Sequence, residues 1–305
     1  MTARLLDGAS ISRQILDEIE KEVASFKEKH NRPPGLGVIL AGQDPASKIY
    51  VRRKKKKSEK LGMLSEVQTL PEESSTEDLL RAVKEMNENR DIDAFLVQLP
   101  LPAQVDKEQV LHSIDPEKDA DGLHPENVGL LVQGKARFAP CTPAGVIEIL
   151  DRANIPIEGK NAVIVGRSDI VGKPLFFMLL QRHATVTVCH SRTKNLPAVC
   201  AAADILIGAT GQPAMITGEY IKEGAVVIDV GISRIDDKDR ALALFGHDHP
   251  NLAKFDKAGY ALVGDVHPLQ GLEKAGWITP VPGGVGPLTI AMLMHNTLKA
   301  AKLQS

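Results

Sequence analysis

The chain has 305 residues, of which 43 % are apolar and 25 % are charged, and its formal net charge is −2. This length allows two globular domains, and the near-neutral charge argues against a surface that generally binds nucleic acid. No segment approaches the roughly 18 apolar residues of a membrane span, and the first residues lack the apolar run of a signal peptide. Cys141, Cys189 and Cys200 lack zinc-site spacing and are too few for a disulfide framework, so we expect a reducing, cytoplasmic location.

Strand-like apolar segments alternate with helical patterns in the first part of the chain. Asp44-Pro45 is a typical helix start, because Asp caps free backbone N–H groups and Pro fits the first turn. The predicted strands cover residues 36–41, about 66–70 and 93–98, and the predicted helices cover about 44–61 and 77–89. This βαβαβ series predicts a parallel sheet with right-handed crossovers.

A second α/β series follows a predicted helix near residues 143–152. Its predicted strands cover residues 162–165, 185–189, 205–209, 226–230 and 261–264, and a last helix covers 288–303. The fold class predicted for the chain is therefore α/β, with two α/β domains and a cleft between them. The last helix is expected to return to the first domain.

The segment before the last helix, from Ile278 to Pro287, contains three prolines and three glycines in ten residues. Proline removes backbone donors and glycine admits positive φ, so this segment forms neither a helix nor a central strand. Such a loop lets the backbone approach a flat ligand closely. The alternative is a stiff turn before a terminal helix.

Gly166, Arg167 and Ser168 follow a predicted strand and precede a predicted helix start near Gly172. A glycine-bearing turn at this point presents backbone N–H groups and the positive end of a helix dipole to a pyrophosphate. The pattern departs from G-x-G-x-x-G, because Ser168 occupies the position of the second glycine, but a serine hydroxyl can donate to phosphate. An ordinary strand-to-helix turn is the alternative.

The next predicted strand ends at His190-Ser191-Arg192 and has no carboxylate for the ribose hydroxyls that an NAD-specific site usually binds. Ser191 and Arg192 suit a 2′-phosphate instead, Arg192 through a charge-assisted fork, although a solvated turn would have a similar composition. Thr210, Gly211 and Ile232 follow two further strands and are expected at the same edge. The sequence favours NADP over NAD.

In the first domain, Tyr50 and Lys54 are four residues apart and share one face of the predicted helix, within a run of basic residues over 52–57. An aromatic plate beside an amine can stack on a planar ligand and offer it a proton-transfer group. The alternatives are a solvated basic face with Tyr50 as an anchor, or a nucleic-acid or nuclear-localisation patch.

Gln98 ends a predicted strand, at the sheet edge where parallel-sheet proteins place ligand contacts. A turn over residues 115–125, which includes Asp121, is dense in carboxylates. A metal site is conceivable there, but turn chemistry accounts for most of these acids without one. No metal is predicted.

Together these segments resemble the methylenetetrahydrofolate dehydrogenase/cyclohydrolase family (the FolD type). The resemblance covers nearly the whole chain and rests on six separated motifs in the family's order. The motifs are Tyr50 with Lys54, the segment 97–102, the segment 118–122, the segment 140–143, the turn from Gly166 to Pro174, and the loop from Pro280 to Pro287.

The resemblance implies NADP-dependent oxidation of 5,10-methylenetetrahydrofolate to the methenyl compound, then hydrolysis to 10-formyltetrahydrofolate, in one-carbon metabolism. It implies that Tyr50 stacks on the folate, Lys54 serves the hydrolytic step, Gln98 orients Lys54, and Asp121 binds the amidine edge of the pterin. Further implied substrate contacts are Leu99, Pro100, Pro280, Gly283 and Gly284. A homodimer is also implied, and the basic run is a candidate site for a polyglutamate tail.

The resemblance further implies a folate-binding catalytic domain over residues 1–142 plus 281–305 and a Rossmann-like NADP-binding domain over residues 143–280. The chain departs from the family pattern by an extension after Ile232, within 233–262. His247 and His249 in this extension hint at a metal, but a surface elaboration is favoured, because no partner ligands are positioned by the sequence.

Three other functions stay open from the sequence. A dehydrogenase of the same family without hydrolase activity is disfavoured by the presence of both Lys54 and Gln98. A shikimate- or amino-acid-type oxidoreductase is disfavoured by the Pro280 loop and the Asp121 turn. A non-enzymatic nucleotide-sensing or nucleic-acid-binding module has only the basic helix in its favour.

Overall fold

The computed structural model describes residues 2–247 and 249–305. The first elements in chain order are β1 (Arg4–Leu5), α1 (Gly8–His30), β2 (Gly35–Ala41), α2 (Pro45–Lys60), β3 (Leu64–Leu70), α3 (Thr76–Glu88), β4 (Ala94–Val97), α4 (Lys107–His112) and α5 (Pro125–Val132). They are followed by α6 (Cys141–Arg152), β5 (Asn161–Val165), α7 (Gly172–Gln181), β6 (Thr185–Cys189), α8 (Leu196–Cys200), β7 (Ile205–Gly208), a 3-10 turn (Gly218–Tyr220) and β8 (Val226–Asp229). The last elements are β9 (Ser233–Ile235), α9 (Lys238–Phe245), α10 (Pro250–Ala258), β10 (Ala261–Val263), α11 (Pro268–Lys274), β11 (Trp277–Ile278) and α12 (Val285–Leu303).

The chain divides into two compact units, which we name by their sheets. The six-stranded unit comprises Met1–Ser12 and Thr142–Thr289, and the three-stranded unit comprises Arg13–Cys141 and Ile290–Ser305. The contacts therefore group residues 1–12 and 281–289 with the six-stranded unit, whereas the predicted functional division places them with the folate-binding domain. That functional division remains a proposal.

The sheet of the three-stranded unit is parallel, with the strand order β3-β2-β4. Every residue of β2 and β4 is buried, because helices cover the sheet and both strands consist almost entirely of apolar residues. Asp44 begins α2 by accepting the Ser47 N–H at 2.7 Å, with Pro45 in the first turn. The predicted βαβαβ series is confirmed, and it places the carboxyl ends of β2 and β4 side by side.

An ion pair between the half-buried Arg32 and the buried Asp93 ties the start of β2 to the start of β4. The guanidinium of Arg32 donates to both carboxylate oxygens of Asp93, at 2.6 and 2.9 Å, and the Gly35 N–H donates to the same carboxylate at 2.7 Å. The carboxylate is thereby compensated within the interior. This pair lies at the amino ends of the strands, opposite the edge where Gln98 follows β4.

The sheet of the six-stranded unit is parallel throughout, with the order β1-β11-β8-β7-β5-β6. The chain passes from β5 to β6 on one side and then to β7 on the other side. This reversal makes the carboxyl end of β5 the topological switch point, where open α/β sheets bind ligands. The predicted second α/β domain of Rossmann-like type is confirmed.

The extension after Ile232 forms a small subdomain within the six-stranded unit. Strands β9 and β10 pair antiparallel, and α9 and α10 connect them. The predicted strand near 261–264 is therefore present, but it pairs with β9 and stands outside the six-stranded sheet. The subdomain has its own apolar core, which contains Ile235, Ala241, Phe245, Leu252, Phe255, Ala261 and Val263.

Candidate functional site

Lys54 is the member of the basic run that turns inward. Its exposure is only 9 %, whereas Arg52, Arg53, Lys55 and Lys56 are exposed. The buried residues Val51, Lys54 and Ser58 follow a helical spacing along α2, which places Lys54 on the face toward the sheet. The amine of Lys54 donates to Gln98 Oε1 at 3.1 Å.

Gln98 is held from both its backbone and its side chain. Its N–H donates to the Ile39 carbonyl at 2.8 Å, and its Nε2 donates to the Leu99 carbonyl at 2.7 Å. The second bond fixes the amide so that Oε1 is the atom available to Lys54. The Leu99–Pro100 peptide that follows is cis. The sequence-predicted pair Lys54 and Gln98 is therefore brought together.

Tyr50 lies one turn before Lys54 on α2 and is 41 % exposed, so its ring is accessible to a ligand. Ser47, a turn earlier, is buried, and its hydroxyl donates to the Leu99 carbonyl at 3.4 Å. The sequence reasoning assigned no role to Ser47. Ser47 could have been predicted from its spacing to Tyr50 and Lys54, because residues at these intervals share one helical face.

Asp121 reaches the same edge because the segment before it runs alongside β4. The Phe95 N–H donates to the Lys118 carbonyl at 2.8 Å, and the Ala120 N–H donates to the Phe95 carbonyl at 3.1 Å. The Asp119 carboxylate then closes the turn by accepting the N–H groups of Gly122 and His124 at 3.0 and 2.8 Å. Asp119 is therefore a turn residue, as the composition of this segment suggested.

Burial raises the pKa of the Asp121 carboxyl, and the nearby Lys54 amine opposes this rise. The Asp119 carboxylate adds to the rise, whereas a hydrogen bond from the Cys141 thiol reduces it. The pKa of the Cys141 thiol itself lies well above its ordinary value, chiefly because of burial. Lys54 and Cys141 thus lie close enough to Asp121 to affect the pKa of its carboxyl group.

Asn296 is a supporting residue that the sequence reasoning missed. It lies on α12, is buried, and donates through Nδ2 to the carbonyls of Ala120 and Ala139, both at 3.0 Å. These bonds hold the residues that precede Asp121 and Cys141. Asn296 could have been predicted from its position in the apolar sequence of the last helix, because a buried amide needs hydrogen-bond partners inside the fold.

In the six-stranded unit, Gly166 follows β5 with φ of +138°, in the region that favours glycine. A Cβ atom at Gly166 would lie 2.1 Å from the Ala209 carbonyl oxygen, and one at Gly172 would lie 2.2 Å from the Gly166 oxygen. These close approaches require both glycines. Arg167 and Ser168 are exposed between them, at the start of the ten-residue helix α7.

The other predicted cofactor residues follow β6, β7 and β8 of the same sheet. After β6, the His190 N–H donates to Thr193 Oγ1 at 2.9 Å, and this turn leaves Ser191 and Arg192 exposed. The remaining predicted residues follow β7 (Thr210 and Gly211) and β8 (Ile232), and Ile232 is 51 % exposed. The predicted cofactor residues therefore all follow strands of one parallel sheet at their carboxyl ends, the edge at which open α/β sheets bind ligands.

The loop from Pro280 to Gly284 is packed against its own unit. Gly283 has φ of +115°, and its carbonyl accepts the Ala9 N–H at 2.9 Å. A Cβ atom on Gly8 would lie 1.9 Å from the Gly284 oxygen. The close approach of this loop to the start of α1 therefore requires glycine at position 8, which composition alone did not reveal.

Within the described residues, no group of three or more His, Cys, Asp or Glu side chains is placed to hold a metal ion. His249 instead caps α10, because its Nδ1 accepts the Asn251 N–H at 3.1 Å. Among residues 2–247 and 249–305, none of the helices is long and apolar enough to cross a membrane.

A parallel sheet with a glycine turn at its switch point defines a nucleotide-binding α/β protein of the dehydrogenase class. The profile of the tetrahydrofolate dehydrogenase/cyclohydrolase catalytic domain matches residues 6–121, and the profile of the NAD(P)-binding domain of the same family matches residues 140–305. The chain belongs to the tetrahydrofolate dehydrogenase/cyclohydrolase family.

Individual relatives agree along the whole chain. The bifunctional protein FolD of Koribacter versatilis is 55 % identical over 304 residues, which cover 100 % of this chain and 98 % of that protein. The FolD structure from Campylobacter jejuni is 41 % identical, with a TM-score of 0.89 and coverage of 99 % and 100 %. The Trypanosoma brucei FolD structure, complexed with NADP and an inhibitor, is 39 % identical, with a TM-score of 0.90 and coverage of 100 % and 99 %.

The geometry of the β5 turn predicts the effect of adding one methyl group. In Gly166→Ala the new Cβ would collide with the Ala209 carbonyl, so the turn must move. We expect the variant to lose most of the increase in melting temperature that saturating NADP gives the parent protein, as measured by thermal unfolding. Gly159→Ala is the matched control, because Gly159 has φ of +70° with open space around its Cβ position.

Gly159→Ala should cost about 1 kcal/mol of stability through its left-handed backbone and keep its response to NADP. An NADP-induced shift in Gly166→Ala equal to that of the control would contradict this role of the β5 turn.

Proposed function

We propose that the chain oxidises 5,10-methylenetetrahydrofolate to the methenyl compound with NADP and then hydrolyses this compound to 10-formyltetrahydrofolate. The observation that carries the proposal is the buried amine of Lys54, which is bonded to Gln98 at the carboxyl edge of the three-stranded sheet. A dehydrogenase alone has no need of a proton-transfer group at this place. Membership of the dehydrogenase/cyclohydrolase family supports both steps.

The protein's task in the oxidation is to position the folate. The accessible ring of Tyr50 stacks on it, Asp121 accepts from the pterin 2-amino and N3–H donors, and Leu99 and Pro100 line the substrate site. NADP supplies the acceptor for the hydride. No side-chain base is required, because the two bridge nitrogens supply the electrons and delocalise the new charge.

The hydrolysis requires general acid–base catalysis, and we assign this role to Lys54. When water adds to the methenyl carbon, the Lys54 amine takes a proton from it. The bond from this carbon to N5 then breaks, N5 takes up a proton, and the hydroxyl loses its own proton to become the C=O of the 10-formyl group, so that one proton is released overall. Gln98 accepts one amine hydrogen at 3.1 Å and so fixes the direction of the amine. Gln98 is thus a positioning residue for Lys54, as well as a contact for the folate.

The residues at the carboxyl edge of the six-stranded sheet fit NADP. Gly166, Arg167 and Ser168 present backbone and hydroxyl donors to the pyrophosphate, and the exposed Ser191 and Arg192 suit the 2′-phosphate. Thr210, Gly211 and Ile232 complete the contacts. This assignment makes residues 143–280 the NADP-binding domain.

We assign residues 1–142 plus 281–305 to the folate-binding domain and propose that the loop from Pro280 to Gly284 contributes to its substrate site. Pro280, Gly283 and Gly284 would face the folate there, with Pro282 directing the chain back into the folate-binding domain.

We also propose a cytoplasmic homodimer that acts on polyglutamylated folates. The three cysteines are buried free thiols, which suits a reducing compartment. The exposed part of the basic run on α2 complements a polyanionic tail, so KM for a pentaglutamate substrate at low salt should be lower than for the monoglutamate. Equal KM values would exclude the role in tail binding, and a monomeric mass in solution would exclude the dimer.

Lys54→Met separates the two steps. The variant keeps the volume of the side chain but has no amine, so we expect the cyclohydrolase rate to fall at least about 100-fold while the dehydrogenase continues and the methenyl product accumulates. Both rates are measured by absorbance, the second with methenyltetrahydrofolate supplied directly. Lys60→Met, at the exposed end of α2, is the control and should retain both rates. A cyclohydrolase rate in Lys54→Met within about threefold of the parent's would contradict the assignment.

Arg192→Ala tests the choice of cofactor. Loss of a charge-assisted bond to the 2′-phosphate should raise KM for NADP about tenfold or more and leave KM for NAD unchanged. Lys257→Ala removes one exposed charge from α10 in the same unit and serves as the control. Equal changes in KM for NADP and for NAD would show that Arg192 does not bind the 2′-phosphate.

A further inference from the structure

Two buried carboxylates lie beneath the proposed cofactor turns and have no part in the mechanism above. Asp229 is the last residue of β8 and is 4 % exposed, and Asp265, shortly after β10, is fully buried. Buried acids are costly unless backbone or side-chain donors compensate them. Their hydrogen-bond partners therefore indicate what the two residues hold in place.

The side chain of Asp265 accepts from the turn that follows β7. Its Oδ2 accepts the N–H groups of both Thr210 and Gly211, the latter at 3.2 Å. Its other oxygen, Oδ1, is buried and has no hydrogen-bond partner among the residues that the structure describes. The hydrogen bonds of the Asp265 carboxylate thus go to two successive backbone N–H groups of one turn.

Asp229 holds Asp265 in turn. Its Oδ1 accepts the N–H groups of Gly231 and Asp265 at 3.0 and 2.9 Å, and its Oδ2 accepts the Val266 N–H at 2.9 Å. The Asp229 N–H donates to Thr279 Oγ1 at 2.8 Å. The network therefore runs from the turn after β7, through the two acids, to the residue that precedes Pro280.

The two acids also fit against backbone that only glycine allows. A Cβ atom at Gly231 would lie 2.2 Å from Asp265 Oδ1, and one at Gly264 would lie 1.9 Å from Asp229 Oδ2. Burial raises the pKa of Asp229 to about 7, and the neighbouring Asp265 carboxylate contributes to this rise. The fold thus keeps two mutually repelling acids in close-packed positions.

We propose that Asp265 is a positioning residue for the cofactor, because it holds the backbone of Thr210 and Gly211 in the conformation that binds NADP. Asp229 supports it from below by fixing the backbone of residues 265 and 266. The inference rests on the proposed function, since Thr210 and Gly211 are cofactor residues only in that proposal. It extends the cofactor site to two acids that lie one layer behind the turns.

The two reactions make this role measurable. The oxidation requires bound NADP, whereas hydrolysis of supplied methenyltetrahydrofolate transfers no hydride. A residue that acts on the cofactor turn should therefore change KM for NADP and leave the hydrolysis rate alone. A residue that only stabilises the unit should lower both activities together.

The experiment compares three substitutions at Asp265 in the full-length protein. Asp265→Ala removes both acceptor oxygens, Asp265→Leu removes them at nearly constant volume, and Asp265→Asn keeps one acceptor oxygen for the two N–H groups. Asp204→Ala is the matched control, because Asp204 precedes the opposite end of β7 and accepts the Asn161 N–H at 3.0 Å.

We expect KM for NADP to rise about tenfold or more in Asp265→Ala and Asp265→Leu, as for loss of a bond to a charged group, with hydrolysis within about twofold of the parent's. Asp265→Asn should restore KM to within about threefold, and Asp204→Ala should leave it unchanged.

An unchanged KM for NADP in Asp265→Ala or Asp265→Leu would overturn the proposal. So would a parallel loss of both activities, or failure of both variants to fold, since either result means a role in the whole unit. Failure of the proposed function is distinguishable, because the parent protein would then show neither NADP-dependent oxidation nor hydrolysis.

Discussion

The hydrogen bond between Lys54 and Gln98 is the interaction on which the proposed chemistry depends. Of the six basic residues over 52–57, Lys54 is the one buried at the sheet edge, and the neutral amide of Gln98 accepts its hydrogen without adding a charge. A carboxylate in place of Gln98 would favour the ammonium form, which cannot accept a proton from water. An amide orients the amine through a hydrogen bond and places no charge beside it.

The two sheets share one geometry, and each places its candidate binding residues at the carboxyl ends of its parallel strands. In each unit, side chains and turns that follow parallel strands collect at the carboxyl edge, because the strands all end on that side. The three-stranded unit presents an amine, an amide and a carboxyl group, which suit proton transfer and recognition of a pterin. The six-stranded unit presents glycine turns and exposed donors, which suit a dinucleotide. Behind the turn after β7, Asp265 and Asp229 form a hydrogen-bonded pair of buried acids that contacts the backbone of this turn.

Much of the fold follows from local sequence. Buried parallel strands such as β2 and β5 are runs of apolar residues bounded by glycine or polar turns, so their positions were predicted to within one or two residues. Strands β1 and β11 have two residues each and carry no periodic signal. Helix α1 was also missed, although Ile15, Ile19, Val23 and Phe26 are buried with helical spacing.

Candidate site residues were predictable from residue type and position at Gln98 and Gly166, whereas the role of Lys54 followed from the family resemblance, because its helix alone also suited a solvated basic face. The site was not predictable where a residue acts through distant backbone. Asn296 holds the carbonyl of Ala120, 176 positions away, and Asp265 holds the N–H of Thr210, 55 positions away. Such pairings arise only when the sheets and α12 are assembled, so no local pattern marks them.

The most direct test of the account is a crystal structure of the protein with a non-hydrolysable analogue of methenyltetrahydrofolate. We predict that the pterin ring stacks on Tyr50 with its amidine edge on Asp121, and that the carbon equivalent to the reacting one lies within reach of Lys54 Nζ, at about 3 Å or through one water. An analogue bound away from Lys54, or with its reacting carbon turned from the amine, would contradict the account.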